Sequence, residues 1–116
     1  MLKVYHYPKC STCRKAIKWL NERGHELQLV DIVEQPPSEK ELEEIIETSE
    51  LDIQKFFNTS GQVYRQMSLK DKLPSMTKEE KITLLASDGK LIKRPIVVGD
   101  KQVTVGFKEI TFEQVW

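Results

Sequence analysis

The stretch PKCSTCRKAIKWL, residues 8–20, holds the only two cysteines of the chain, spaced as Cys10-x-x-Cys13. Before it, LKVYHY at residues 2–7 mixes β-branched and aromatic side chains and ends at Pro8, a strand and its stop. After it, Ala16, Ile17 and Leu20 recur at helical spacing between Ser11 and Asn21. Ser11 or Thr12 is positioned to cap that helix, and Gly24 follows its end. The cysteine pair therefore falls in the turn between a strand and a helix.

Working outward, ELQLVDI at 26–32 reads as a second strand, stopped by QPPS. Ser38 opens a helix with Glu41 as its capping-box partner and Leu42, Ile45 and Ile46 facing inward. Residues 51–86 read as short helical pieces broken by the turn NTSG and the charged run LKDKLPSM. A further capping box pairs Thr77 with Glu80, and Leu84 and Leu85 belong to the buried face of that helix. Beyond the turn SDG, PIVV and QVTV flank GDK, a three-residue hairpin connection. A short helix from Lys108 to about Val115 closes the chain.

The order is strand, helix, strand, helical block, hairpin, helix. Its first unit is expected to be parallel and right-handed, and the hairpin adds antiparallel strands. The fold class is α/β, a thioredoxin-like mixed sheet flanked by helices. One domain spans 1–116, with halves at about 1–36 and 90–116 and an all-helical insertion at about 37–89. Neither an internal repeat nor a low-complexity segment is present.

Composition narrows the function. At 116 residues the chain is long enough for one hydrophobic core, and 39% hydrophobic with 31% charged residues is ordinary for a globular protein. Lysine plus arginine and aspartate plus glutamate balance at 18 each, so no basic face is expected to hold nucleic acid directly. No apolar run approaches the roughly 20 residues that cross a bilayer, and MLKVYHYPKC lacks the pattern of a secretory signal. The expectation is a cytoplasmic protein, a monomer in the simplest case, without membrane contact. In that compartment a Cys-x-x-Cys is more often catalytic, redox-sensing or metal-binding than a permanent staple.

The thiolate is the reactive form of cysteine, and a free thiol has a pKa of about 8.5. A cysteine just before a helix faces unpaired N–H groups and the positive end of the helix dipole. Cys10 gains most from that position and is the expected nucleophile, with Lys9, Arg14 and Lys15 adding cationic charge nearby. Cys13, one turn on, can reach back to resolve a mixed disulfide at Cys10. Two other readings stand beside this one. The cysteines could be inert core residues. They could also be half of a zinc site completed by His6 and His25, although His25 lies at the far end of the helix and no second Cys-x-x-Cys exists.

PKCSTCRKA after a first strand, with FFNTSGQVYRQM, LLASDGKLIKRP and KRPIVVGDKQVTVGF, resembles the arsenate reductase (ArsC) and Spx family of thioredoxin-like proteins along essentially the whole chain. The resemblance implies that Pro95 of Arg-Pro-Ile follows a cis peptide bond beside the active cysteine. It implies that Arg94 projects toward Cys10, lowers its pKa and binds an anion such as arsenate or the glutathione carboxylate. Arg65 falls near another arginine of the reductases' oxyanion site. Gly106 and Phe107 look like a tight turn with a packed aromatic. The chain departs from both branches. Glutathione-dependent arsenate reductases resemble Cys-x-x-Ser, where this chain has Cys13, and carry a further arginine where it offers Lys108. Spx regulators carry a docking glycine near the position of SELDIQ and a longer tail. The resemblance thus implies a thiol–disulfide oxidoreductase acting on an oxyanion or a disulfide. It would bind no cofactor and would be re-reduced by glutathione or a thioredoxin- or glutaredoxin-type protein. The alternative is a redox-sensing transcriptional regulator that touches the RNA polymerase α subunit.

Overall fold

Strand β1 (Leu2–His6) takes an interior position in the sheet because it is apolar on both faces: Leu2 and Val4 point one way and Tyr5 the other. The computed structural model describes all 116 residues. Helix α1 (Ser11–Glu22) follows and buries Cys13, Ala16, Trp19 and Leu20 along one stripe. It ends where Gly24 adopts φ +81°, a left-handed conformation that costs glycine little. Strand β2 (Leu27–Asp31) then pairs parallel to β1, with Leu2 opposite Leu27.

Between β2 and the hairpin lie α2 (Glu39–Ser49), α3 (Gln62–Gln66), α4 (Leu69–Lys72) and α5 (Lys78–Ser87), with 3-10 turns at Ile53–Phe56, Leu73–Ser75 and Gly89–Leu91. Strands β3 (Ile96–Val98) and β4 (Val103–Val105) and helix α6 (Glu109–Val115) complete the chain. The sheet order is β2-β1-β3-β4, with β3 antiparallel to β1 and β4 antiparallel to β3. The result is a mixed four-stranded sheet flanked by helices, a thioredoxin-like α/β fold. The hairpin connection is Gly99–Gln102, closed by the Gly99 N–H donating to the Gln102 carbonyl at 2.9 Å. It is one residue longer than GDK, because Gln102 turns the corner instead of joining the strand.

Each face of the sheet has its own core. On one, Leu2, Val4 and Val97 pack against Ala16, Trp19 and Leu20 of α1 and Phe112 of α6. Phe112 meets Trp19 edge-on at 5.4 Å and Phe107 at 4.7 Å between ring centroids. On the other face, Tyr5, Ile96 and Val103 lie under Leu42, Ile45 and Ile46 of α2 and Ile82 and Leu85 of α5. The fully buried pair of α5 is thus Ile82 and Leu85, three residues apart, and Leu84, expected beside Leu85 on the buried face, packs half-buried against the rim of the same core. Burying each such aliphatic side chain contributes about 1.5–3 kcal/mol.

Both capping boxes form. Ser38 Oγ accepts from the Glu41 N–H at 3.1 Å and Thr77 Oγ1 from the Glu80 N–H at 3.1 Å, with both glutamates bonding back. The end of α5 is fixed by Gly89, where a Cβ atom would lie 1.8 Å from the Ile32 carbonyl oxygen. Residues 56–58 run alongside 91–93: the Lys93 N–H donates to the Phe56 carbonyl at 2.7 Å and the Asn58 N–H to the Leu91 carbonyl at 2.8 Å. This contact ties the helical block to the segment entering β3. No helix is long and apolar enough to cross a membrane.

Candidate functional site

The turn after β1 delivers Cys10 to the head of α1, where Cys10 is itself the N-cap. Its Sγ accepts the Cys13 N–H at 3.3 Å. Ser11 and Thr12, the caps expected from the sequence, lie inside the first turn and are exposed. Sulfur replaces oxygen in the cap, so a helix N–H that would otherwise lack a partner points at the reactive atom. The turn is held by the Cys10 N–H to the Tyr7 carbonyl at 2.9 Å and by Arg14 Nη1 to the Pro8 carbonyl at 3.0 Å.

The two sulfurs occupy different environments, and both are free thiols. Cys10 is half-buried and lines a cavity of about 640 Å³. Burial is the largest single influence on its thiol and opposes ionisation. Hydrogen bonding from the Cys13 thiol and backbone, and then the charge and hydrogen bonding of Arg94, outweigh burial and lower the pKa. Cys13 is 0% exposed. Its burial, together with the neighbouring Cys10, pushes its thiol up to about 12, against smaller opposing effects of the Tyr7 backbone and Arg94.

Arg94 reaches this site from the segment before β3. Its guanidinium carbon lies 4.9 Å from the Tyr7 ring centroid, and its Nη1 is buried without a hydrogen-bond partner. The Arg94–Pro95 bond is cis, and Pro95 is buried. The Pro95 carbonyl accepts the Gly106 N–H at 2.8 Å, with Gly106 at φ +78°, so the end of β4 is tied to the cis bond. Of the cations close in sequence to Cys10, Arg14 is turned to the Pro8 carbonyl; the positive charge lowering the Cys10 pKa comes from Arg94, far along the chain.

Not every candidate joins the site. Arg65 is exposed on α3 and absent from the cavity lining. His25 Nε2 lies 3.1 Å from the Trp116 carbonyl oxygen, and His6 sits on β1 opposite Asp31. No three side chains among His, Cys, Asp and Glu converge to hold a metal ion. Lys108 does line the cavity, as do Lys55 and Lys93, which no local pattern singles out. Lys93 is the more legible of these two, being adjacent to Arg94 in the KRP run.

This geometry has relatives. The uncharacterized protein YusI of Bacillus subtilis is 56% identical over 99% of this chain and 98% of its own. The global transcriptional regulator Spx of the same organism is 30% identical over 94% of this chain and 82% of its own. Arsenate reductase from Vibrio cholerae superposes with a TM-score of 0.83 at 28% identity, covering 98% of this chain and 93% of that one. With the ArsC family model matching residues 5–115, the chain belongs to the ArsC family.

Proposed function

We propose that the protein is a thiol–disulfide oxidoreductase in which Cys10 attacks and Cys13 resolves. The contrast between the two thiols carries this reading: one is cavity-facing with a lowered pKa, the other fully buried with a raised one. The Cys10 thiolate attacks a substrate disulfide, forming a mixed disulfide and releasing one substrate thiolate, which takes a proton from solvent. Cys13 then loses its proton and attacks Cys10 Sγ. The internal disulfide forms and the second substrate thiol leaves. The substrate gains the two electrons that the protein dithiol loses. Glutathione or a thioredoxin- or glutaredoxin-type protein would return them.

Once Cys10 is bonded to substrate its negative charge is gone, so the repulsion that helps hold Cys13 protonated goes with it. Attack by Cys13 is thereby favoured only after capture. Arg94 favours the Cys10 thiolate before attack, and during resolution its charge stands beside the substrate sulfur that leaves Cys10 as a thiolate. With an oxyanion substrate, the same guanidinium is the group placed to hold negative charge. Cys10→Ser is expected to abolish turnover, while Cys13→Ser accumulates a mixed disulfide visible by intact mass. Undiminished turnover in Cys10→Ser rejects the reading.

A second reading is favoured by the likeness to Spx: the same dithiol would act as a switch on a regulator that contacts the RNA polymerase α subunit, without turnover. Incubating reduced and oxidised protein with the α C-terminal domain tests it. State-dependent capture supports a switch, and no capture in either state rejects it.

A further inference from the structure

The cavity that begins at Cys10 carries an asymmetry that the chain as a whole lacks. Lys55, Lys93, Arg94 and Lys108 line it, and no aspartate or glutamate does, although acidic and basic residues are equal in number overall. None of the four is in an ion pair; the structure's two ion pairs are Lys3–Glu41 and Arg23–Glu113. The cations come from separated parts of the chain: the 3-10 turn at Ile53–Phe56, the segment before β3, and the start of α6. The exposed Lys93 side chain passes over Gly106, where a Cβ atom would lie 3.2 Å from Lys93 Cε. Unpaired like charges gathered in one concavity repel one another, and an anionic ligand relieves that repulsion.

The shape of the cavity narrows the kind of anion. Strand β4 is an edge of the sheet, and Val103, Thr104, Val105 and Gly106 line the cavity along its length. Gly106 bonds to Pro95 and Gly99 to Gln102, which makes Thr104, opposite Val97, the bonded residue between them. The N–H and C=O groups of Val103 and Val105 therefore face away from β3, along the free edge. The helical block on one side, through Leu51 and Lys55, and α6 on the other, through Thr111, form the walls. At about 640 Å³ the space far exceeds a compact oxyanion, whose bulk is that of a few waters at about 30 Å³ each. An open strand edge between cationic walls suits an extended polypeptide.

We propose that this groove is a substrate subsite for an acidic polypeptide segment, which adds as a strand along β4 and presents its disulfide to Cys10. Lys55, Lys93 and Lys108 pair with the segment's carboxylates, and the outward groups of Val103 and Val105 bond its backbone. The proposal rests on the oxidoreductase reading above, and the disulfide exchange is the one written there.

The test uses the pre-reduced protein in single turnover against glutathione disulfide and three disulfide-linked peptides of equal length, with glutamate, glutamine or lysine flanking the cysteine. Reduction of the acidic peptide is expected to be about tenfold faster than that of the basic one at low salt, with the ratio shrinking as salt rises. The Lys55→Glu, Lys93→Glu double variant reverses the order; Lys55→Arg, Lys93→Arg preserves it. N-methylation of alternate backbone amides slows the acidic peptide without changing its charge. Equal rates for all three peptides overturn this proposal and leave the oxidoreductase reading standing. Faster reduction of glutathione disulfide than of the acidic peptide overturns it in favour of a small-molecule site. Reduction of none of these disulfides overturns both readings.

Discussion

On one face of the sheet, seven buried residues around Trp19, Leu20 and Phe112 hold α1 and α6; on the other, sixteen bury α2, α5 and the short helices between them. Helix α1, which carries Cys13 and is capped by Cys10, packs on the smaller core, while Tyr7 of the turn before it packs against the larger one. In the smaller core α1 is aligned by Ala16 and Leu20, both 0% exposed, so that the Cys13 N–H meets Cys10 Sγ. The larger core supports the segment that returns Arg94 and Pro95 to the same place, through the contact of residues 56–58 with 91–93. One face therefore sets the aim of the sulfur, and the other supplies much of the stability and brings in the cation.

Two substitutions separate those roles. Phe112→Ala removes the ring shared by Trp19 and Phe107 and is expected to cost about 3–5 kcal/mol in denaturant unfolding. It also disturbs the cavity wall and so shifts the titration of Cys10. Leu85→Ala, in the far core, is expected to cost about 2–5 kcal/mol while leaving the Cys10 titration of the folded protein in place. A shift in Cys10 as large in Leu85→Ala as in Phe112→Ala erases the distinction.

The buried thiol of α1 sets the next effect. The Cys13 pKa is raised in the folded protein, so its contribution to stability is complete below the unfolded thiol value. That contribution is lost as pH climbs from about 8.5 toward the folded value of about 12. The extra loss from one proton is at most about 1.4 kcal/mol per pH unit. Cys13→Ala should remove that component from the alkaline unfolding profile; a profile identical to wild type contradicts the raised pKa. Smallest is Ser38→Ala, which deletes the cap of α2 and is expected to cost about 1 kcal/mol with no change in thiol reactivity.

How much of this was legible in the sequence follows the range of the interactions. Local signals read well. The apolar run ending at Pro8 is β1, Ser38 with Glu41 and Thr77 with Glu80 are capping boxes, and the valine-rich segments around Gly99 form a hairpin. Serine and threonine next to Cys10 draw the expected cap of α1 one or two residues too far along, because a sulfur seldom serves as the acceptor. Two adjacent leucines do not show which of them faces inward more fully; the three-residue spacing of Ile82 and Leu85 does, and Leu84 packs half-buried beside them. Arg14 is near Cys10 in sequence, yet its guanidinium bonds the Pro8 carbonyl. Nothing local joins Lys55 to Lys93: only the topology brings residues 38 positions apart to one groove beside β4.

The most direct test of the account is the pH dependence of alkylation by iodoacetamide, resolved by residue, in reduced wild type and Arg94→Ala. In wild type, Cys10 is expected to react alone, with a midpoint below the free-thiol value of about 8.5, and Arg94→Ala to move that midpoint upward. A wild-type midpoint at or above the free-thiol value, or modification of Cys13 before Cys10, would contradict it.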